Sequence, residues 1–130
     1  QELYNSGKLS KDMSEKERAK VILKELADKT VYKNDETSAC HTAWSVFSRG
    51  YGVCDGISAA YPTLLRLDGI QCWGVLGKSL STNGTHLWTA AVLDGELSYT
   101  DSTWGVCWKD YDVYHFFAMT EEQCRKTHSW

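Results

Sequence analysis

The chain has 130 residues and a formal net charge of −3. That length predicts one domain able to bury a proper core, and the charge leaves no basic footprint for nucleic acid. No apolar run approaches the ~18 residues that a membrane span needs.

No signal-peptide pattern is visible. The chain starts at Gln1 rather than methionine, which suggests a fragment or a mature form. Six tryptophans and seven tyrosines suit either a well-packed domain or an aromatic-lined cleft.

Residues 1–12 read as a polar lead-in. Ser14-Glu15-Lys16-Glu17 has the form of a capping box. Ala19, Ile22, Leu23 and Leu26 follow at helical spacing, so a helix is predicted over 14–29. Residues 31–35 read as a loop. A second helix is predicted over 38–48, with Ala39, Ala43, Trp44 and Phe47 as its apolar stripe. Arg49-Gly50-Tyr51-Gly52 ends it and leads into Cys54.

Ile57, Ala60, Tyr61, Leu64, Leu65 and Leu67 then mark one face of a helix over 54–68. Pro62 falls inside it, at a cost of about 3 kcal/mol, and a tolerated kink is expected. Asp68-Gly69 stops the helix. Residues 72–76 read as a strand and 78–85 as a polar loop able to cover a cleft. Asp94-Gly95 is a two-residue hairpin signal joining strands 86–93 and 96–101. Residues 104–112 read as a loop and 114–118 as a last strand. Thr120-Glu121-Glu122 opens a short final helix. No repeat or linker is visible, so 1–130 is one unit. Helices first and an antiparallel sheet after is the α+β order.

The chemistry centres on Gly52-Val53-Cys54-Asp55-Gly56. A cysteine at a helix N-terminus meets unpaired backbone N–H groups and the positive end of the dipole. That environment lowers a thiol pKa, and the glycines leave room for a substrate. A thiol nucleophile needs a base and a group to orient it. The hairpin register puts His86 opposite residue 103, with Asp101 two positions away and within side-chain reach. Asp101 would accept the ring N–H of His86 and fix its tautomer.

Ordinary readings compete at each position. Cys54 could be a buried structural thiol, His86 a plain strand residue and Asp101 a strand end. Glycines at a helix start favour the nucleophile. Trp88 and Trp104 read as packing residues that keep the site dry, and Asp55 as a helix-start residue. His41, His115 and His128 read as structural or exposed. Cys40, Cys72, Cys107 and Cys124 allow three disulfide pairings or stay as buried thiols. Cys107, His115, Cys124 and His128 lack the CxxC spacing of strong zinc sites, and no metal is expected.

Gly52-Val53-Cys54-Asp55-Gly56, Leu64 to Ile70, Gly77, His86-Leu87-Trp88, Leu93-Asp94-Gly95 and Asp101-Ser102-Thr103-Trp104 together resemble the transglutaminase-like superfamily. The order of cysteine, histidine and aspartate matches as well. The resemblance covers roughly residues 30–105, and the tail from Phe116 to Trp130 is similar to that of some bacterial members. It implies a papain-like core and a Cys54-His86-Asp101 triad. It also implies acyl transfer on protein or peptide amides through a thioester, as a peptidase, deamidase or transglutaminase. No cofactor is implied. The Cys54 backbone N–H would stabilise an oxyanion, with Tyr32 as a cleft residue that could assist. An exported, cell-surface setting is expected. Thr89 stands where the family often has Asn, and Gly105 where it often has an acidic residue. Both leave substrate choice open. The alternative is a non-catalytic module that binds or scaffolds other proteins. A carbohydrate role is disfavoured, since no paired carboxylates stand out.

Overall fold

Apolar spacing and caps account for the first half of the chain in the computed structural model, which describes residues 1–130. A single turn, α1 (Glu2–Asn5), lies in the predicted lead-in. The long helix α2 (Glu15–Lys29) follows, with Ser14 as N-cap accepting the Glu17 N–H. Ala19, Ile22, Leu23 and Leu26 are buried as their spacing predicted. Asp94 supplies a second cap from far along the chain. Its carboxylate accepts the Glu15 and Lys16 N–H groups, while the Glu15 carboxylate accepts the Asp94 N–H.

The stretch predicted as a loop contains β1 (Val31–Tyr32), which pairs in parallel with β2 (Tyr51–Gly52). The helix predicted over 38–48 is divided. Ser38–His41 forms a 3-10 turn, and α3 (Ala43–Arg49) starts afresh. Thr42 causes the break: its backbone is extended and its hydroxyl caps the Ser45 N–H. The restart also changes the buried face. Trp44 and Phe47 are 60% and 48% exposed, whereas Ser45 and Val46 are buried. Ser45 is satisfied there by donating to the Tyr51 carbonyl.

Helix α4 (Cys54–Leu67) runs unbroken through Pro62. Burial of Ile57, Ala60, Tyr61, Pro62 and Leu65 offsets the lost backbone bond. The Tyr61 hydroxyl donates to the Ala19 carbonyl, tying α4 to α2. Gly56 allows the first turn of α4 to sit against the 3-10 turn, because a Cβ there would lie 2.9 Å from the Cys40 and Thr42 carbonyl oxygens.

Three strands follow: β3 (Cys72–Ser79), β4 (Thr85–Leu93) and β5 (Glu96–Thr100). Asp94 and Gly95 take φ of 53° and 84°, the left-handed pair of a type I′ turn. The register is the predicted one, with Leu93 opposite Glu96 and Thr89 opposite Thr100. Pairing stops there, because the chain turns into α5 (Ser102–Cys107) and then α6 (Lys109–Asp112). The span 104–112 is therefore two short helices joined at Trp108, not a loop.

Residues 114–118 form no strand. The chain there is held by the Tyr99–Met119 bridge and by the Asp101 N–H donating to the Phe116 carbonyl. The short α7 (Glu121–Cys124) starts at a complete Thr120/Gln123 capping box. The last strand is instead β6 (His128–Ser129), which pairs with the end of β3. The extra length of β3 reduces the predicted 78–85 loop to 80–84.

The sheet order is β5-β4-β3-β6, antiparallel throughout. This mixed architecture, helices first and an antiparallel sheet after, is the α+β order that the sequence suggested. Alternation along β4 divides the interior in two. Ala91 and Leu93 join the larger core under α2 and α4. Trp88 and Ala90 join Tyr99, Phe116, Met119 and Cys124 on the other side.

Gly77 lies where these parts meet. A Cβ there would overlap the Ser129 carbonyl oxygen and stand 2.7 Å from the Trp88 ring. Gly77→Ala must therefore displace β6 or Trp88. Overpacking of this kind costs roughly 1–3 kcal/mol. Thermal unfolding should show Tm lower by several degrees, and an unchanged Tm would mean that β6 is not docked against Gly77.

Candidate active site

Asp101 is the first residue after β5 and the N-cap of α5. Its carboxylate has no exposure to solvent. One oxygen, Oδ1, accepts the Trp104 N–H at 3.0 Å. The other, Oδ2, meets His86 Nε2 at 2.6 Å and His128 Nε2 at 2.8 Å. An ionised carboxylate only accepts, so both histidines present Nε2–H to it. In neutral His86 that leaves Nδ1 as the basic nitrogen. In His128 the Nδ1 faces the Thr127 hydroxyl at 2.8 Å, which can donate to it.

Burial alone would raise the Asp101 pKa. The bonds from His128 and His86, with the Trp104 N–H, outweigh that and hold it below the usual carboxylate range.

Cys54 opens α4 and is half-buried and unpaired. Thr103 donates to its carbonyl at 3.1 Å, and Ser58 one turn on donates to the Leu87 carbonyl at 2.8 Å. These bonds fasten the start of α4 to α5 and β4, the elements that carry Asp101 and His86. Cys54 and His86 line one cleft of about 900 Å³, together with Tyr32, Thr103, Trp104 and Trp108. A smaller hollow of about 300 Å³ beside α1 and α2 contains no thiol and no histidine.

The Cys54 thiol differs from expectation in one respect. Burial, followed by the charge of Asp55, pushes its pKa up. The backbone N–H groups of Asp55 and Cys54 oppose this but do not reverse it. A helix start by itself does not make this thiol acidic. Asp55 is half-exposed and pairs with His41 Nδ1 at 2.8 Å.

Tyr32 stands at the cleft edge. Burial and the Cys54 charge raise its pKa, while the Cys54 backbone N–H directed at its phenol lowers it. Trp88 is fully buried. Trp104 is half-buried and stacks on the His86 ring, with centroids 5.0 Å apart.

All five cysteines are free thiols, so none of the three possible disulfide pairings is formed. The possible zinc quartet does not assemble either. Cys107 and His115 are exposed, while Cys124 and His128 are buried. His86, Asp101 and His128 do offer three ligand atoms within 4.8 Å of one another. Both ring nitrogens lie at hydrogen-bond distance from one carboxylate oxygen, and shared protons account for that spacing. His128 is the residue that sequence reasoning left out of the site.

A buried carboxylate held below its ordinary pKa stabilises the fold above the unfolded value of ~3.9 and loses that contribution as pH falls further. Asp101→Asn should therefore unfold more easily than the wild type at neutral pH. The difference should narrow in denaturant titrations below about pH 4. A difference that stayed constant with pH would contradict an ionised Asp101.

No helix is long and apolar enough to cross a membrane. No curated protein matches the sequence. Among solved structures, one described as a TGase is similar at 19% identity and a TM-score of 0.66, covering 78% of this chain and 30% of that one. A protein from Cytophaga hutchinsonii, provisionally described as a cysteine protease, is similar at 18% identity and a TM-score of 0.58 over 66% of this chain and 30% of that one. Such identities speak for the fold alone, and this chain spans 30% of the length of each. The sequence profile of the transglutaminase-like superfamily matches residues 4–105, and by that match the chain belongs to this superfamily.

Proposed function

We propose that the domain catalyses thiol-dependent acyl transfer on protein or peptide amides. Cys54 would be the nucleophile, His86 the base and Asp101 the group that orients it. The observation that carries this reading is the His86–Asp101 pair. The buried carboxylate holds Nε2–H at 2.6 Å, which leaves Nδ1 free in the cleft that Cys54 shares.

His86 Nδ1 takes the Cys54 proton, and the thiolate attacks the amide carbonyl carbon. The tetrahedral oxyanion forms near the Cys54 backbone N–H, with the Tyr32 phenol beside it as a second donor. His86 then delivers its proton to the departing nitrogen, and the C–N bond breaks to leave a thioester. Water or an amine attacks the thioester with His86 again as base, which gives hydrolysis or amine transfer. Trp88 and Trp104 limit access of water to the imidazole.

Because burial and Asp55 raise the Cys54 thiol, the thiolate depends on a protonated His86. Asp101 stabilises that imidazolium. A non-catalytic binding module is the rival reading. It is favoured by a buried or disulfide-bonded Cys54, and this cysteine is neither.

Iodoacetamide labelling resolved by cysteine over pH 4–9 tests the reading. Cys54 should label fast well below pH ~8.5, the value of a free thiol. His86→Ala should slow it by on the order of tenfold or more. A Cys54 that labels no faster than Cys107, the exposed thiol, would sink the enzyme and leave the binding module.

A further inference from the structure

We propose that His128 is a positioning residue for this site: it keeps the buried Asp101 carboxylate ionised and aimed at His86. The inference rests on the acyl-transfer reading of Cys54 and His86.

His128 is 1% exposed and stands outside the cleft that Cys54 and His86 line. It cannot touch a substrate there, so any part it plays runs through Asp101. Its Nε2 reaches the same Oδ2 that His86 uses, at 2.8 Å. The ring has little freedom. Its centroid lies 4.4 Å from that of Trp104 and 4.5 Å from that of Trp88, and Nδ1 is engaged by Thr127. The backbone is fixed as well, since Ser79 pairs with His128 and Lys78 with Ser129. Gly77 leaves the room that this docking needs.

The energetic need is plain. A carboxylate without solvent is stable as an anion only with donors around it. Asp101 has three: the Trp104 N–H and the two imidazoles. The imidazole of His86 has to turn over protons with Cys54 during a reaction. His128 has no such duty, and its donor stays on Oδ2 while His86 changes charge. The other titratable groups in electrostatic reach of Asp101 are Cys54 on α4, Cys107 on α5 and Cys124 on α7. Burial raises each of them, Cys124 to about 12. They remain neutral in the acid range and supply no competing charge there.

The variants His128→Phe and His128→Gln separate positioning from packing. Phenylalanine keeps a ring among the tryptophans and removes the donor, whereas the glutamine amide restores one. The readout is the pH profile of Cys54 alkylation. Without the donor Asp101 protonates at a higher pH, so the acid limb should move up by about one unit, a tenfold loss of rate at a fixed pH on that limb. His128→Gln should recover part of the shift. A His128→Phe profile that superimposes on the wild type, with only Tm lowered, would overturn the proposal.

If wild-type Cys54 proves unactivated, the acyl-transfer reading fails by itself. The ¹³C carboxyl titration of Asp101 in wild type and His128→Phe then decides the role of His128. A higher midpoint in the variant supports it and an unchanged one refutes it. If His128→Phe does not fold, ¹⁵N shifts of the wild-type ring decide: an unprotonated Nε2 in His128 overturns the proposal, and a protonated one upholds it.

Discussion

Placing a carboxylate where water cannot reach it sets a condition that several elements must meet together. Asp101 is such a group, and its partners come from three places in the chain. Residue 86 arrives on β4, residue 104 on α5 and residue 128 on β6. Each bond fixes a different relation. The Trp104 N–H sets the start of α5 against the end of the hairpin. His86 orients the first residues of β4 toward the cleft. His128 holds the C-terminal strand against β3. The aromatic rings around this charge, Trp88 and Trp104, exclude the water that would otherwise solvate it. Loss of one donor would therefore be felt by all three elements.

Where local rules acted alone, the sequence could be read. Ser14 and the spacing of Ala19, Ile22, Leu23 and Leu26 specify α2. The glycine-flanked cysteine and the apolar face after it specify α4. Asp94-Gly95 sets a type I′ turn and with it the hairpin register, which carries His86 and Asp101 to the same end. These signals depend on a few neighbouring residues, and the superfamily motifs lie among them. Elsewhere a tertiary demand prevailed. Thr42 could have continued a helix, but as a cap it restarts one and exposes Trp44 and Phe47. Residues 114–118 have strand-like composition, yet Phe116 is needed under Trp104, 4.8 Å between centroids. His128 was hidden for a different reason. A two-residue strand has too little length to show a period, and its partner, β3, lies far away in sequence.

The thiol illustrates how a valid local argument can point the wrong way. Backbone N–H groups at the start of α4 do favour a thiolate. Partial burial and the adjacent Asp55 charge outweigh them. The proposed acyl transfer therefore needs a base to draw off the Cys54 proton, since the helix start alone does not lower this thiol.

The docking of β6 has a bearing on how the domain is made. Synthesis delivers the chain from its N-terminus, and folding can begin before it is finished. Cys54, His86 and Asp101 all lie within the stretch up to residue 105 that matches the superfamily. The donor on His128 emerges more than twenty residues later. Through that interval Asp101 has fewer partners than its burial requires. The strand that carries His128 closes the charge network, which couples the ordering of Asp101 to the completion of this sheet.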